Sequence, residues 1–338
     1  MATLEINPTR EYTNYRISVE QYVSFRERGF LVVKGLVPPE DVQALNDHMD
    51  DMRAGRVFND DAVKIHGFGV KPDERHSAAR MHMLHRVSEI HERFFLHPRM
   101  LDVLAALIGP DVLALQSMLF FKDPGQVGQG YHQDSYYIPT FPDTLCGAWL
   151  ALTPATVANG CVWYAVGSQN EPVYPDPRGL GSALSTNIDD LGTIDNASSM
   201  DESANGLKRV VKKYAGQEAA ALAEPGDVVF FGGHIVHWSY NNESDMPRRA
   251  YVGHYCNARS FVPWNAGEAF EGESGNYLHI LARGSTHLPY AQPQFGTPCA
   301  ANAPRPVGEA NEARPKSIMG MEDGLLSAMP HVGGMDPD

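Results

Sequence analysis

Apolar positions along this chain change period once, near residue 110. Up to that point the spacing is mostly helical. Ser18, followed three residues later by Gln21, reads as a capping box and predicts a helix over 18–28. A β-rich run at 30–37 ends at Pro38 and Pro39, and Val42, Leu45 and Met49 then repeat at helical spacing through about 52. The stretch 53–80 has no clear period and predicts loops with a short strand. Helical spacing returns over 83–95 and 98–108, where Leu101, Leu104 and Ile108 form one stripe and Gly109-Pro110 is the stop.

After Pro110, short β-rich runs dominate, at 112–121, 146–152, 160–166, 227–231 and 249–256, each bounded by Gly, Pro, Asn or Asp. Helices first and short strands afterwards predict a mainly β fold with flanking helices: an antiparallel double-sheet barrel or jelly roll wrapped by its N-terminal helices. The segment 171–224 interrupts the strands with Asp/Ser/Asn-rich sequence and one helical piece around 206–223, the character of a lid or binding loop. From about 289 the chain is rich in Pro, Ala and Gly and reads as an extended, partly ordered tail. We expect a single domain over 1–338, with its core at about 18–260, a lid-like insertion at about 171–224 and a C-terminal extension at about 261–338.

At 338 residues with 43% hydrophobic content the chain has enough apolar material for a sizeable core. A formal charge of -14 argues against a nucleic-acid or anionic-membrane partner, since phosphate binding needs a basic surface. The one basic cluster, at 208–213, reads as a solvated helix face. No signal peptide or membrane-length apolar run is present, and Cys146, Cys161, Cys256 and Cys299 form no Cys-x-x-Cys pair. A cytoplasmic protein acting on a small molecule is the expectation. Oligomeric state stays open, with 278–290 a candidate surface for a homo-oligomer or a cap over the site.

The motif with chemical content is His-x-Asp, which arises by chance at about one position in a thousand and occurs twice here. His48 and Asp50 lie in the helix after Pro39, where residues two apart point about 200° from one another, so that copy reads as a solvated face. His132 and Asp134 follow a strand run, where residues two apart project to one side and can grip one metal ion. A 2-His-1-carboxylate iron site needs a second imidazole from a distant strand, and His234, His237 and His254 are the candidates. The group His76, Arg80, His82, His85 and His91 is poorly spaced for one ion and reads as a surface or substrate-facing helix. Tyr136, Tyr137 and Trp238 are divided between packing and contact with substrate.

The segments 29–33 (GFLVV), 116–119 (QSML), 131–134 (YHQD), 149–152 (WLAL), 159–162 (NGCV), Gly167-Ser168, 226–231 (GDVVFF), 237–244 (HWSYNNES) and Arg248-Arg249 occur in one order along the chain. Together they make it similar to the phytanoyl-CoA dioxygenase family. That resemblance implies a double-stranded β-helix, cupin-like core and an Fe(II)- and 2-oxoglutarate-dependent dioxygenase that consumes O2 and releases succinate and CO2. In the family the distal iron histidine precedes a hydroxyl residue by two positions and an arginine by eleven. From His237 this rule lands on Ser239 and Arg248, whereas from His234 it lands on Val236 and Asp245.

The resemblance therefore implies His132, Asp134 and His237 as iron ligands and catalytic centre, Arg248 and Ser239 on the far carboxylate of 2-oxoglutarate, and Gln116, Met118 and Trp149 along its pocket. Asp134 sets the chain apart from halogenase relatives, which carry a small residue there. Hydroxylation of an unactivated C-H bond in a natural product, amino-acid derivative or acyl compound is the leading expectation. Desaturation, cyclisation, epimerisation or rearrangement with the same cofactors, or a ligand-binding barrel without turnover, are the alternatives.

Overall fold

The computed structural model describes residues 12–57, 80–86, 88–175, 194, 204–262, 279–287 and 292–293. Its N-terminal helices follow the sequence pattern closely. Helix α1 (Val19–Arg28) opens on the Ser18/Gln21 capping box and ends at Gly29, whose φ of 78° is open to glycine at little cost. Helix α2 (Pro39–Arg53) buries Val42, Leu45, Met49 and Met52. The 83–95 stretch is not one helix. Met83 takes a φ of 58°, which breaks the path, and a 3-10 turn (Leu84–Arg86) precedes a shorter helix α3 (Glu89–Phe95). Helix α4 (Pro98–Ile108) buries Leu101 and Leu104 as expected.

The strands form two sheets. An eight-stranded sheet is built from β1 (Phe30–Val33), β2 (Arg80–His82), β3 (Val112–Lys122), β5 (Cys146–Ala151), β8 (Val228–Gly232), β10 (Arg248–Asn257), β11 (Ile280–Arg283) and β12 (Gln292–Pro293). A four-stranded sheet holds β4 (Gln129–His132), β9 (His237–Ser239), β6 (Val162–Ala165) and β7 (Glu218–Ala220), in that order. The core extends beyond the expected boundary at 260, because β11 pairs with β3. The remainder of the C-terminal extension, Cys299 included, lies outside the described residues, as does most of the 171–224 insertion. Within that insertion the expected helical piece is shorter: α6 (Lys208–Val211), a 3-10 turn, and then strand β7. Its basic residues are exposed while Val210 and Val211 are buried.

Both faces of the large sheet are covered, which is why its strands read as unbroken apolar runs. Leu31, Val33, Val228, Phe230, Leu150 and Tyr251 project to one face and pack with α2, α3 and α4. Their neighbours Phe30, Val229, Phe231, Trp149, Ala250 and Val252 project to the other and meet Cys161, Tyr164 and Ile235 from the smaller sheet and its approaches. Period-two alternation thus sorts each strand residue into a helix-facing or an inter-sheet layer. Cys146, Cys161 and Cys256 are buried free thiols.

Phe230 is fully buried in the helix-facing layer. Phe230→Ala is expected to lower unfolding free energy by about 3–5 kcal/mol, read as a shift in denaturant midpoint at constant slope. A loss below 1 kcal/mol would show that this layer is not the core.

Candidate active site

β4 and β9 are antiparallel neighbours, and their register sets His132 directly opposite His237 and Gln129 opposite Ser239. The two imidazole centroids are 4.0 Å apart. In each ring Nδ1 meets a backbone carbonyl two residues back, Gly130 at 2.8 Å and Ile235 at 3.1 Å. Donation to those carbonyls places the proton on Nδ1 and leaves Nε2 unprotonated in both rings. The amide Nε2 of Gln129 donates to His132 Nε2 at 3.0 Å, consistent with that tautomer.

His132 is the last residue of β4, and Asp134 lies just past the strand. The chain stays extended through Gln133 (φ -120°, ψ 128°) and then bends into the single helical turn α5 (Asp134–Tyr137). Because the intervening residue is extended, the Asp134 carboxylate still faces the side on which His132 lies. Its Oδ1 is 3.8 Å from His132 Nε2 and 3.6 Å from His237 Nε2. One ligand atom from each of the three buried residues falls within 4.8 Å of the others. Two imidazoles with unprotonated Nε2 atoms and one carboxylate form the donor set that suits Fe(II) and leaves coordination positions open.

Asp134 Oδ2 is engaged elsewhere, by His254 Nε2 at 3.0 Å. The carboxylate therefore offers one oxygen to the cluster and one to β10. Burial raises the Asp134 carboxyl pKa, but the surrounding histidines, His237 foremost, outweigh burial and hold it well below the usual carboxylate range. Burial takes the His132 imidazole down to about 3. Both groups are thus in the deprotonated state that metal ligation requires at neutral pH.

Register on the large sheet brings further sequence candidates to the face opposite the cluster. Arg248 pairs with Lys122; Val252 pairs with Met118 on one side and Trp149 on the other; His254 pairs with Gln116 and Gly147. All lie on the inter-sheet face. Arg248 is buried, its guanidinium lies 5.5 Å from the Trp149 ring centroid, and its Nη1 donates to the Gly160 carbonyl. Burial lowers its pKa to about 10, still fully protonated near neutrality. Ser239 closes this end from β9, where its hydroxyl accepts from Lys122 Nζ at 3.1 Å and from the Gln129 backbone N–H at 3.2 Å.

Several other sequence candidates lie elsewhere. His234 is tied to Asp143 and to the Glu171 carbonyl, each at 2.8 Å, outside the cluster. Trp238 is buried against Tyr131 and Trp163, so packing accounts for it. Tyr137 is 43% exposed with its ring 6.4 Å from that of His132. His48 is half-buried against His91 rather than solvated, and His85 and His91 are buried beneath the large sheet rather than on a surface or substrate-facing helix. His82, on β2 beside Met118, shares the inter-sheet face, and His76 lies outside the described residues. His254, which shares strand parity with Arg248, points inward beside the cluster as that parity suggested. Sequence reasoning missed Lys122 and Gln129; strand parity with Gln116 was the available signal for Lys122.

A strand-rich two-sheet core with this buried His/Asp/His cluster defines a non-haem iron, 2-oxoglutarate-dependent oxygenase. The chain belongs to the phytanoyl-CoA dioxygenase (PhyH) family, whose model matches residues 25–250. Human peroxisomal phytanoyl-CoA dioxygenase is 25% identical over 264 residues, covering 73% of this chain and 71% of that protein. Arabidopsis thaliana phytanoyl-CoA dioxygenase is 24% identical over 270 residues, 70% of this chain and 88% of that one. Among solved structures, EctD from S. alaskensis with 2-oxoglutarate and 5-hydroxyectoine shares the fold at a TM-score of 0.53 and 19% identity, over 75% of this chain and 82% of that one. The non-heme monooxygenase ThoJ in complex with Ni does so at 0.54 and 20% identity, over 90% and 96%. No helix among the described residues is long and apolar enough to cross a membrane.

The His254 contact has a direct consequence. His254→Leu frees Asp134 Oδ2 and is expected to weaken Co(II) binding at the cluster by about 10- to 100-fold, measured calorimetrically, with the circular dichroism spectrum unchanged. Wild-type affinity in that variant would show that the contact does not orient the carboxylate.

Proposed function

We propose that this oxygenase hydroxylates an unactivated C-H bond of a small organic molecule, with His132, Asp134 and His237 holding the iron. The observation that supports this reading is the convergence of three buried ligand atoms within 4.8 Å, a carboxylate oxygen among them. A carboxylate at Asp134 fills the position that a halide would need, which favours hydroxylation over halogenation. When bound, the iron with 2-oxoglutarate and O2 supplies the oxidising equivalent, and the oxo acid leaves as succinate and CO2.

The protein's own part is binding, orientation and exclusion of water. His132 and His237 are held in their ligating tautomer by the Gly130 and Ile235 carbonyls. The Arg248 guanidinium binds the far carboxylate of 2-oxoglutarate, where a planar fork can make two parallel charge-assisted bonds. Ser239 adds a hydrogen bond there, and Gln116, Met118 and Trp149 line the same face. The Trp149 ring beside it and its own burial keep the guanidinium out of water, which strengthens its hold on an anion. Substrate approaches from the side of Tyr137.

His132→Ala, Asp134→Gly and His237→Ala are each expected to bring substrate-stimulated succinate release to background. A wild-type rate in any one of them removes that residue from the ligand set. Arg248→Leu is expected to raise the KM for 2-oxoglutarate by about 10- to 100-fold, the worth of charge-assisted hydrogen bonds, in steady-state assays across a panel of small-molecule substrates. An unchanged KM would remove Arg248 from the co-substrate pocket.

A further inference from the structure

We propose that Lys122 is a positioning residue for the far carboxylate of 2-oxoglutarate, acting through the Ser239 hydroxyl and beside Arg248. This rests on the assignment of Arg248 and Ser239 to that carboxylate. Lys122 is 5% exposed and stands directly across the β3–β10 ladder from Arg248, itself 4% exposed. No carboxylate among the described residues pairs with either cation. Two neighbouring buried cations repel one another and lose hydration, a cost that proteins ordinarily remove by pairing. An anion entering this end of the cavity supplies the missing partner. The same crowding shows in the lysine's acidity, lowered to about 7 by burial first and by Arg248 second.

Hydrogen-bond accounting makes the role specific. The ammonium has three N–H donors, and they reach the Gly160 carbonyl at 3.3 Å, the Ser239 Oγ at 3.1 Å and the Tyr240 carbonyl. Lys122 is therefore spent on the protein rather than extended to a ligand. Ser239 Oγ receives from Lys122 and from the Gln129 N–H at 3.2 Å, so both of its lone pairs are taken. The one capacity left to that hydroxyl is to donate its proton, which is what a carboxylate oxygen accepts. Without the lysine, the hydroxyl could turn and present a lone pair instead.

Lys122 also acts on the guanidinium. The Gly160 carbonyl accepts from both Lys122 Nζ and Arg248 Nη1, so one oxygen anchors the two cations side by side. Gly160 has a φ of 72°, and a Cβ there would meet the Tyr240 carbonyl oxygen at 2.3 Å and Lys122 Nζ at 2.6 Å, so the close approach of these groups requires glycine.

The test compares two oxo acids by calorimetry on the full-length Fe(II) protein without O2: 2-oxoglutarate, and 2-oxopentanoate, which has a methyl group in place of the far carboxylate. Lys122→Met is expected to weaken 2-oxoglutarate by about tenfold or more and to leave 2-oxopentanoate within about twofold. Adding Ser239→Ala to Lys122→Met should cost less than about twofold further, since the two act through one hydrogen bond. Lys122→Leu, which likewise removes every donor, serves the same comparison if the methionine variant does not fold. Equal weakening of both oxo acids, unchanged 2-oxoglutarate affinity, or fully additive losses would each overturn the proposal. Arg248→Leu is run alongside: wild-type 2-oxoglutarate affinity there would defeat the underlying carboxylate assignment, whereas a loss with Arg248→Leu and none with Lys122→Met would defeat the lysine's role alone.

Discussion

The β4–β9 pairing is the contact on which the site depends. It sets His132 opposite His237, and the same ladder brings Ser239 opposite Gln129, so one register places both imidazoles of the His/Asp/His cluster and the Ser239 hydroxyl. A slip of one residue would turn every side chain of β9 to the other face. That register is held from outside the site, because β9 also pairs with β6 and packs Trp238 against Trp163 and Tyr131. The large sheet contributes the opposing wall, with His254 reaching across to the one oxygen of Asp134 that the cluster leaves over.

Much of this was legible in the sequence because it is local. The capping box at Ser18, the stripes of α2 and α4, and the β-rich runs all report contacts within a few residues, and they reappear with small changes of boundary. The grouping of His132, Asp134 and His237 was legible for a different reason: the spacing from His237 to Ser239 and Arg248 follows the family pattern the sequence resembles, and the three residues do come together here.

Long-range or backbone-specific features were not legible. Periodicity carries no trace of the left-handed Met83 that divides 83–95, nor of the turn that begins at Asp134. Strands as short as β4, β7 and β9 offer too few residues for alternation to register. His48 reads as solvated on its own helix and is half-buried because α3 brings His91 against it. Lys122 looks like an ordinary polar strand end until β10 places Arg248 across from it. A lysine at a strand terminus is usually snorkelling to water, and only the second sheet reveals that this one does not.

The pairing of β6 with β7 bears on how such a protein diversifies. Ala165 lies opposite Glu218, so the intervening chain departs from and returns to adjacent, hydrogen-bonded strands. In topological terms that insertion is an overgrown hairpin loop. Closing a loop between fixed neighbours grows in cost only with the logarithm of its length. Evolution can therefore lengthen, shorten or rewrite this segment with little effect on the ladder beneath it, and the β6 end of that ladder carries Tyr164 directly against His237. The ladder can stay as it is while the chain between β6 and β7 is exchanged, so this part of the protein can change by replacing an appendage rather than by rebuilding the sheet.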